Sequence, residues 1–223
     1  MAGQPPGAAS DRAGVLILGG GRFGRLAGMR LEGRVLALAE VVPTPDLAEL
    51  GVPVWPLEAV AAANQALASA RPPAWLVPCV PVHFLARWLL ASLAAQGART
   101  LPVPPQAEAG LPLLGRGQEG QLFLSLTNTL CPDDCPEPAS ICPKTGQPRG
   151  LPLYQRLMGL SLPGWGTAVL RSHQLAPGVG GLAASGMLEI RQRMAGQGGR
   201  WLIATACRCH GVLSGLELPP PGP

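Results

Sequence analysis

The chain has 223 residues, of which 47% are hydrophobic and 13% charged, with 30 glycines and 26 prolines. That apolar share supports a packed core and excludes wholesale disorder, and the Gly and Pro content points to many turns rather than a fibrous repeat. The formal charge of +4 is scattered as single arginines, Lys144 being the sole lysine, so no basic run marks a nucleic-acid partner.

Residues 1–12 read as a polar, Pro/Gly-rich tail without the apolar stretch of a secretory signal. A strand at 15–18, a glycine turn, a helix over 22–31 closed by Gly33 and a strand at 34–39 form the first unit. A short strand at 53–55 and an Ala-rich helix over 57–70, ended by Pro72-Pro73, follow. Next come a short buried strand at 74–78 and an amphipathic helix over 82–96. The most apolar stretch, 74–95, contains Pro78, Pro81, His83 and Arg87 and does not read as a membrane span. Residues 101–120 show no clear period and read as a linker or edge crossing.

A strand at 121–126, a Cys-Pro loop, a helix over 153–160 and a strand at 166–170 come next. A loop with Gly178, Gly180 and Gly181, a helix over 182–195, a strand at 201–205 and a loose tail at 218–223 complete the chain. Strands alternating with helices predict an α/β fold: a mostly parallel sheet with helices on both faces, plus a Cys-rich loop insertion. The expected division is a nucleotide-binding part at 13–120 and a second α/β part at 121–217, with the Cys-rich loop at 131–150.

Gly19-Gly20-Gly21-Arg22-Phe23-Gly24 satisfies G-x-G-x-x-G at Gly19, Gly21 and Gly24. The run follows an apolar strand and opens a helix, the context that gives the pattern a mechanism. Gly19 permits the tight turn, Gly21 lets a pyrophosphate approach the backbone, and Gly24 lets helix and strand pack closely. Free N–H groups at the helix start face the anion. Glu40 stands where an acid hydrogen-bonds a ribose 2′-hydroxyl, which favours NAD over NADP, while Arg22 and Arg25 are placed to assist a phosphorylated ligand.

Residues 14–40 resemble the Rossmann dinucleotide-binding superfamily, and the short format is similar to the nucleotide-binding modules of potassium-uptake regulators. The resemblance covers roughly the first half of the chain. It implies a Rossmann-like fold and an NAD(P)-type cofactor, with Gly19, Gly21, Gly24 and Glu40 as contacts, and Arg22 and Phe23 of the same loop complete the expected cofactor-binding set. A glycine turn that binds another adenosine-containing ligand, or nothing, is the competing reading.

Three Cys-Pro pairs lie within thirteen residues, Cys131-Pro132, Cys135-Pro136 and Cys142-Pro143, and Cys207-Arg208-Cys209-His210 forms a second group. Cysteines held in a stiff Pro-rich loop do not pack like core cysteines and suit a soft metal or an iron–sulfur cluster. The C-x3-C-x6-C spacing is neither a zinc-ribbon pair nor a ferredoxin run. Its strength is placement: Cys131, Cys207, Cys79 and His173 each follow a predicted strand. If those strands are parallel, all four stand at the carboxyl edge, where open α/β sheets bind ligands. The expected ligands are Cys131, Cys135, Cys142, Cys207 and Cys209, with the fourth position open among Cys79, Cys207, Cys209, His173 and His210.

A cluster takes Cys thiolates, zinc takes four N or S ligands, and redox-active thiols compete with both. Disulfides are not expected without an export signal. Cys79 also reads as a small buried hydrophobe, and His83 as a cap or surface residue. Asp133, Asp134 and Glu137 read as solvated loop acids, and Arg149, Lys144 or Arg208 would offset negative charge beside the thiolates.

These features predict a cytoplasmic dinucleotide-binding protein with a Cys-ligated metal or iron–sulfur centre. Electron or hydride transfer would make it an oxidoreductase if it is an enzyme, with a redox protein as partner and no nucleic acid. Two other readings stand beside this one: a non-catalytic nucleotide-sensing module stapled by zinc, and a metal-handling protein of cofactor assembly.

Overall fold

Four consecutive apolar residues, Val15–Leu18, form strand β1, and all four side chains are buried. Such an unbroken run suits a strand covered on both faces. The computed structural model describes residues 14–117, 119–127 and 131–220, so the expected tail at 1–12 lies outside the described residues. The chain divides at Cys79/Val80 into two compact units.

In the first unit, β1 leads through the glycine turn into helix α1 (Arg22–Arg30) and strand β2 (Val35–Ala39). Strand β3 (Val54–Trp55), helix α2 (Ala59–Leu67) and strand β4 (Trp75–Pro78) follow. The strands pair parallel in the order β3-β2-β1-β4. Helix α2 starts where the Glu58 carboxylate accepts the Val60 and Ala61 N–H groups, and it buries Ala59, Ala62, Ala63 and Ala66. That spacing is one helical face, and its small side chains allow close approach to β1.

The second unit opens with helix α3 (Phe84–Ser92). Strand β5 (Arg99–Leu101), helix α4 (Pro105–Glu108), strands β6 (Leu113–Arg116) and β7 (Leu122–Ser125) and helix α5 (Leu153–Met158) follow. Then come strands β8 (Trp165–Arg171), β9 (His173–Ala176) and β10 (Val179–Ala183) and helix α6 (Ala184–Gln197). Strands β11 (Gly199–Ala206) and β12 (His210–Leu218) complete the unit. Its main sheet has the order β6-β7-β12-β11-β8, with β5 on β12.

This sheet differs from the mostly parallel one that the alternation of elements predicts. Only β11 and β8 pair parallel, and the other four pairings are antiparallel. The reason is the short Cys207–Cys209 connection, which folds β12 straight back on β11; parallel neighbours need a long crossover. Residues 101–120 are also more than a linker. They carry α4 and β6, and Arg99–Leu101 pairs with β12, so position 120 lies inside the second unit. Leu218 is the last residue of β12 rather than part of a tail. The glycine-rich stretch before α6 is the antiparallel β9–β10 hairpin.

Leu202, Ala204 and Ala206 of β11 pack with Leu122, Leu124 and Leu213 beneath Leu153 and Leu157 of α5. Helix α3 packs against β11 and β12. Among the described residues, no helix is long and apolar enough to cross a membrane.

The antiparallel β12 decides where the cysteines meet. Both β7 and β11 run opposite to β12, and β8 runs with β11. The ends of β7, β8 and β11 and the start of β12 therefore share one edge of the sheet.

Candidate functional site

At the glycine turn of the first unit, Gly19 has φ of 103°, a region that side chains disfavour. Its N–H donates to the Ala39 carbonyl at 2.8 Å. A Cβ on Gly24 would stand 1.8 Å from the Gly19 carbonyl oxygen, whereas one on Gly21 would meet nothing within 4 Å. The three glycines thus fill the separate roles of turn, open approach and close helix contact. Gly21 is the N-cap of α1 and supplies no side-chain cap. Glu40 folds back onto the turn: its Oε2 accepts the Gly20 N–H at 2.6 Å, and Oε1 lies 3.5 Å from the Val42 nitrogen. Arg25 is engaged by the Asp46 carboxylate. The Arg22 guanidinium lies 5.5 Å from the centroid of the exposed Phe23 ring.

In the second unit, Cys207 and Cys209 sit on the turn between β11 and β12. The Cys207 N–H donates to the His210 carbonyl at 2.9 Å. The Cys207 Sγ accepts the N–H groups of Cys209 at 3.4 Å and of His210 at 3.3 Å. The Glu137 carboxylate reaches over from the Cys-Pro loop and accepts the Arg208 N–H.

Cys142 occupies a similar turn. Its N–H donates to Gln147 at 2.9 Å, and its carbonyl accepts from Gly146 at 2.8 Å. The Thr145 hydroxyl, the N–H groups of Thr145 and Lys144, and the Arg149 charge act on its sulfur and bring the thiol down to about 7. Cys135 is fixed through its carbonyl, which accepts from Gly178 N–H at 3.0 Å and Gln174 Nε2 at 2.6 Å. The β9–β10 hairpin thus anchors the loop. Cys131 Sγ lies 3.7 Å from His210 Nδ1 and within hydrogen-bonding reach of Cys135.

The five cysteines of the two groups form a connected neighbourhood. Cys131 feels the charges of Cys135, Cys209 and Cys207, and Cys209 feels those of Cys207 and Cys142. Burial and these like charges push the Cys131 thiol up to about 12. Burial also raises Cys209, while Arg149, which donates Nη1 to its sulfur, pulls it down. Among the described residues, no three His, Cys, Asp or Glu side chains close into a metal-holding set; the contacts are pairwise. Neighbouring thiols of this kind oppose one another's ionisation until a cation is added.

Other expected residues are placed differently. Cys79, just after β4, is half-buried rather than a fully buried hydrophobe, and desolvation pushes its thiol to about 12. His83 is neither a surface residue nor a side-chain cap. It is buried, its Nδ1 is 2.7 Å from Ser214 Oγ, and burial pushes its pKa down to about 3. His173 is half-buried at the start of β9, where burial and then Arg171 lower its pKa and Glu137 opposes them. Glu137 is part of the site rather than a solvated acid, which its loop position concealed. Thr145 was also hidden, although a Cys-Pro pair followed by Lys144-Thr145-Gly146 marks a tight turn with donors aimed back at the sulfur.

The family model AF_1314_C, described as "Uncharacterized protein, C-terminal domain", matches residues 85–219. That span runs from α3 to β12 and takes in both cysteine groups. A relative from Archaeoglobus fulgidus, named "Uncharacterized protein", is 33% identical over 87 residues, which is 39% of this chain and 38% of that protein. The chain thus spans well under half of that relative. No solved structure matches the chain. With more than half of its length covered by the family model, this chain belongs to the AF_1314_C family.

Proposed function

We propose that the protein carries a thiolate-ligated metal centre at the edge of its second sheet and binds a dinucleotide at the glycine turn of its first unit, with electron transfer as its role. One observation carries this reading: two cysteine groups far apart in sequence meet, and the sulfurs of Cys207 and Cys142 each receive two backbone N–H groups. Such donors favour the thiolate form; at Cys142 they prevail, whereas at Cys207 burial outweighs them and raises the thiol until a cation is added. Several thiolates in one neighbourhood repel unless cations offset them, and a bound metal supplies the charge that Arg149 alone does not. Cys131, Cys135 and Cys142 supply three ligands and Cys207 or Cys209 the fourth. His210 is placed to donate to a ligating sulfur.

Support for the dinucleotide comes from the division of labour among Gly19, Gly21 and Gly24 and from the parallel strands flanking the turn. All six cysteines are free thiols, which suits a reducing, cytoplasmic setting.

The test is purification without oxygen, followed by a visible spectrum and by iron, sulfide and zinc analysis. Iron with matching sulfide and a brown chromophore supports electron transfer. A colourless protein free of iron and zinc overturns the metal centre. Stoichiometric zinc selects the nucleotide-sensing reading instead. That alternative has its own support, because Ile141–Pro148 is the only β-bridge among the described residues between β7 and α5. A metal there would staple an otherwise irregular loop. Titration with NADH, followed by calorimetry, tests the first unit separately.

A further inference from the structure

A cavity of about 680 Å³ opens beside Cys142 and Cys209 in the second unit. Arg149, Arg156 and Arg208 line it, and among the described residues no Asp or Glu does. None of the ion pairs between described residues involves these three arginines. Arg149 gives Nη1 to Cys209 Sγ, yet its Nε and Nη2 are buried without a hydrogen-bond partner. Buried polar atoms are almost always paired, so the orphaned donors of an arginine that lines a cavity point to an acceptor outside the polypeptide. Guanidinium forks match carboxylate and phosphate oxygens two at a time. The volume lies within the range of small-molecule sites.

We propose that this cavity seats a small polyanion, bearing phosphate or carboxylate groups, held by Arg149, Arg156 and Arg208 next to the cysteine neighbourhood. Thr145, also on the wall, adds a neutral hydroxyl. Three arginines and two cysteines line the cavity, so the lining keeps a net positive charge even with one sulfur ionised. The inference goes beyond the metal reading and stands without it, because every cation it uses belongs to the chain.

Isothermal titration of the full chain with pyrophosphate and with citrate tests it. The tighter probe tells phosphate chemistry from carboxylate chemistry. The expected result is saturable binding of at least one probe, weakened tenfold or more in R156A/R208A. R71A, which removes an exposed arginine elsewhere, should leave it unchanged. R156K/R208K keeps the charge but loses the forks, so it should fall between the two. R156A alone, at an exposed position of α5, serves if the double variant does not fold. Absence of binding by both probes, or binding that R156A and R156A/R208A leave unchanged, overturns the proposal. Metal analysis of the same samples reports on the metal reading independently.

Discussion

Cys131 Sγ lies 3.7 Å from Nδ1 of His210, across 79 residues of sequence. The contact follows from the sheet: His210 opens β12 directly opposite Ser125 of β7, and Cys131 lies at that same edge. Replacing Cys131 or Cys142 by Ser should therefore weaken metal binding by about tenfold or more, while Cys79→Ser should leave it intact. Metal content of anaerobically purified variants measures this. Equal loss in Cys79→Ser and Cys131→Ser would contradict the assignment.

The glycine turn separates stability from binding. Gly24→Ala forces a Cβ to 1.8 Å from the Gly19 carbonyl oxygen, and overpacking against backbone should cost about 3 kcal/mol. Gly21→Ala meets no neighbour within 4 Å and should change stability by only about 0.5 kcal/mol. Because that open space is where the ligand would approach, the same variant should lose NADH affinity. Urea unfolding and NADH titration, run side by side, distinguish the two effects.

Acid should destabilise the second unit through His83. Burial holds its pKa at about 3, against an ordinary 6.5. Between those values the unfolded chain binds a proton that the native chain refuses, so the stability is complete above pH 6.5 and declines as pH falls. At pH 5 the loss should be about 2 kcal/mol. Ser214→Ala removes the partner of Nδ1 and should cost about 1–3 kcal/mol at pH 7. Urea midpoints measured from pH 7 to pH 4.5 check both, and a midpoint independent of pH in His83→Leu would confirm the source.

Glu137 ties the Cys-Pro loop to the β11–β12 turn through the Arg208 N–H. Its φ of 48° is unusual for a residue with a side chain, so the contact holds a conformation that the backbone does not favour. Glu137→Ala should cost about 1.5–3 kcal/mol. Glu137→Gln keeps an acceptor and should retain most of the stability. Thermal melting of both variants tests this, and equal melting temperatures would show that the carboxylate contact contributes nothing.

The first unit was largely legible from its residues. Unbroken apolar runs at 15–18 and 75–78, bounded by Gly and Pro, become buried parallel strands, as expected. Strand β12 was not legible, because Gly211, Ser214 and Gly215 interrupt its apolar pattern. The fold tolerates those residues because β12 is paired along both edges and β5 comes so close that a Cβ on Gly215 would meet the Leu101 carbonyl oxygen at 2.6 Å. Strands as short as β5 and β6 show no period at all. Arg149 was recognisable as a cation that offsets thiolate charge, and it contacts Cys209. Its two orphaned donors are visible only in three dimensions.

Read by itself, the amino-acid order determined what each short segment prefers: strand, helix, glycine turn, and sulfurs held on Pro-stiffened loops. Those preferences are set by neighbours a few residues away. The tertiary structure decided which segments pair, and in which direction. It placed β12 antiparallel between β7 and β11, set the two cysteine groups on one edge, and buried His83 against Ser214. Such choices depend on backbone groups far apart in the chain finding partners together, and no local pattern records that.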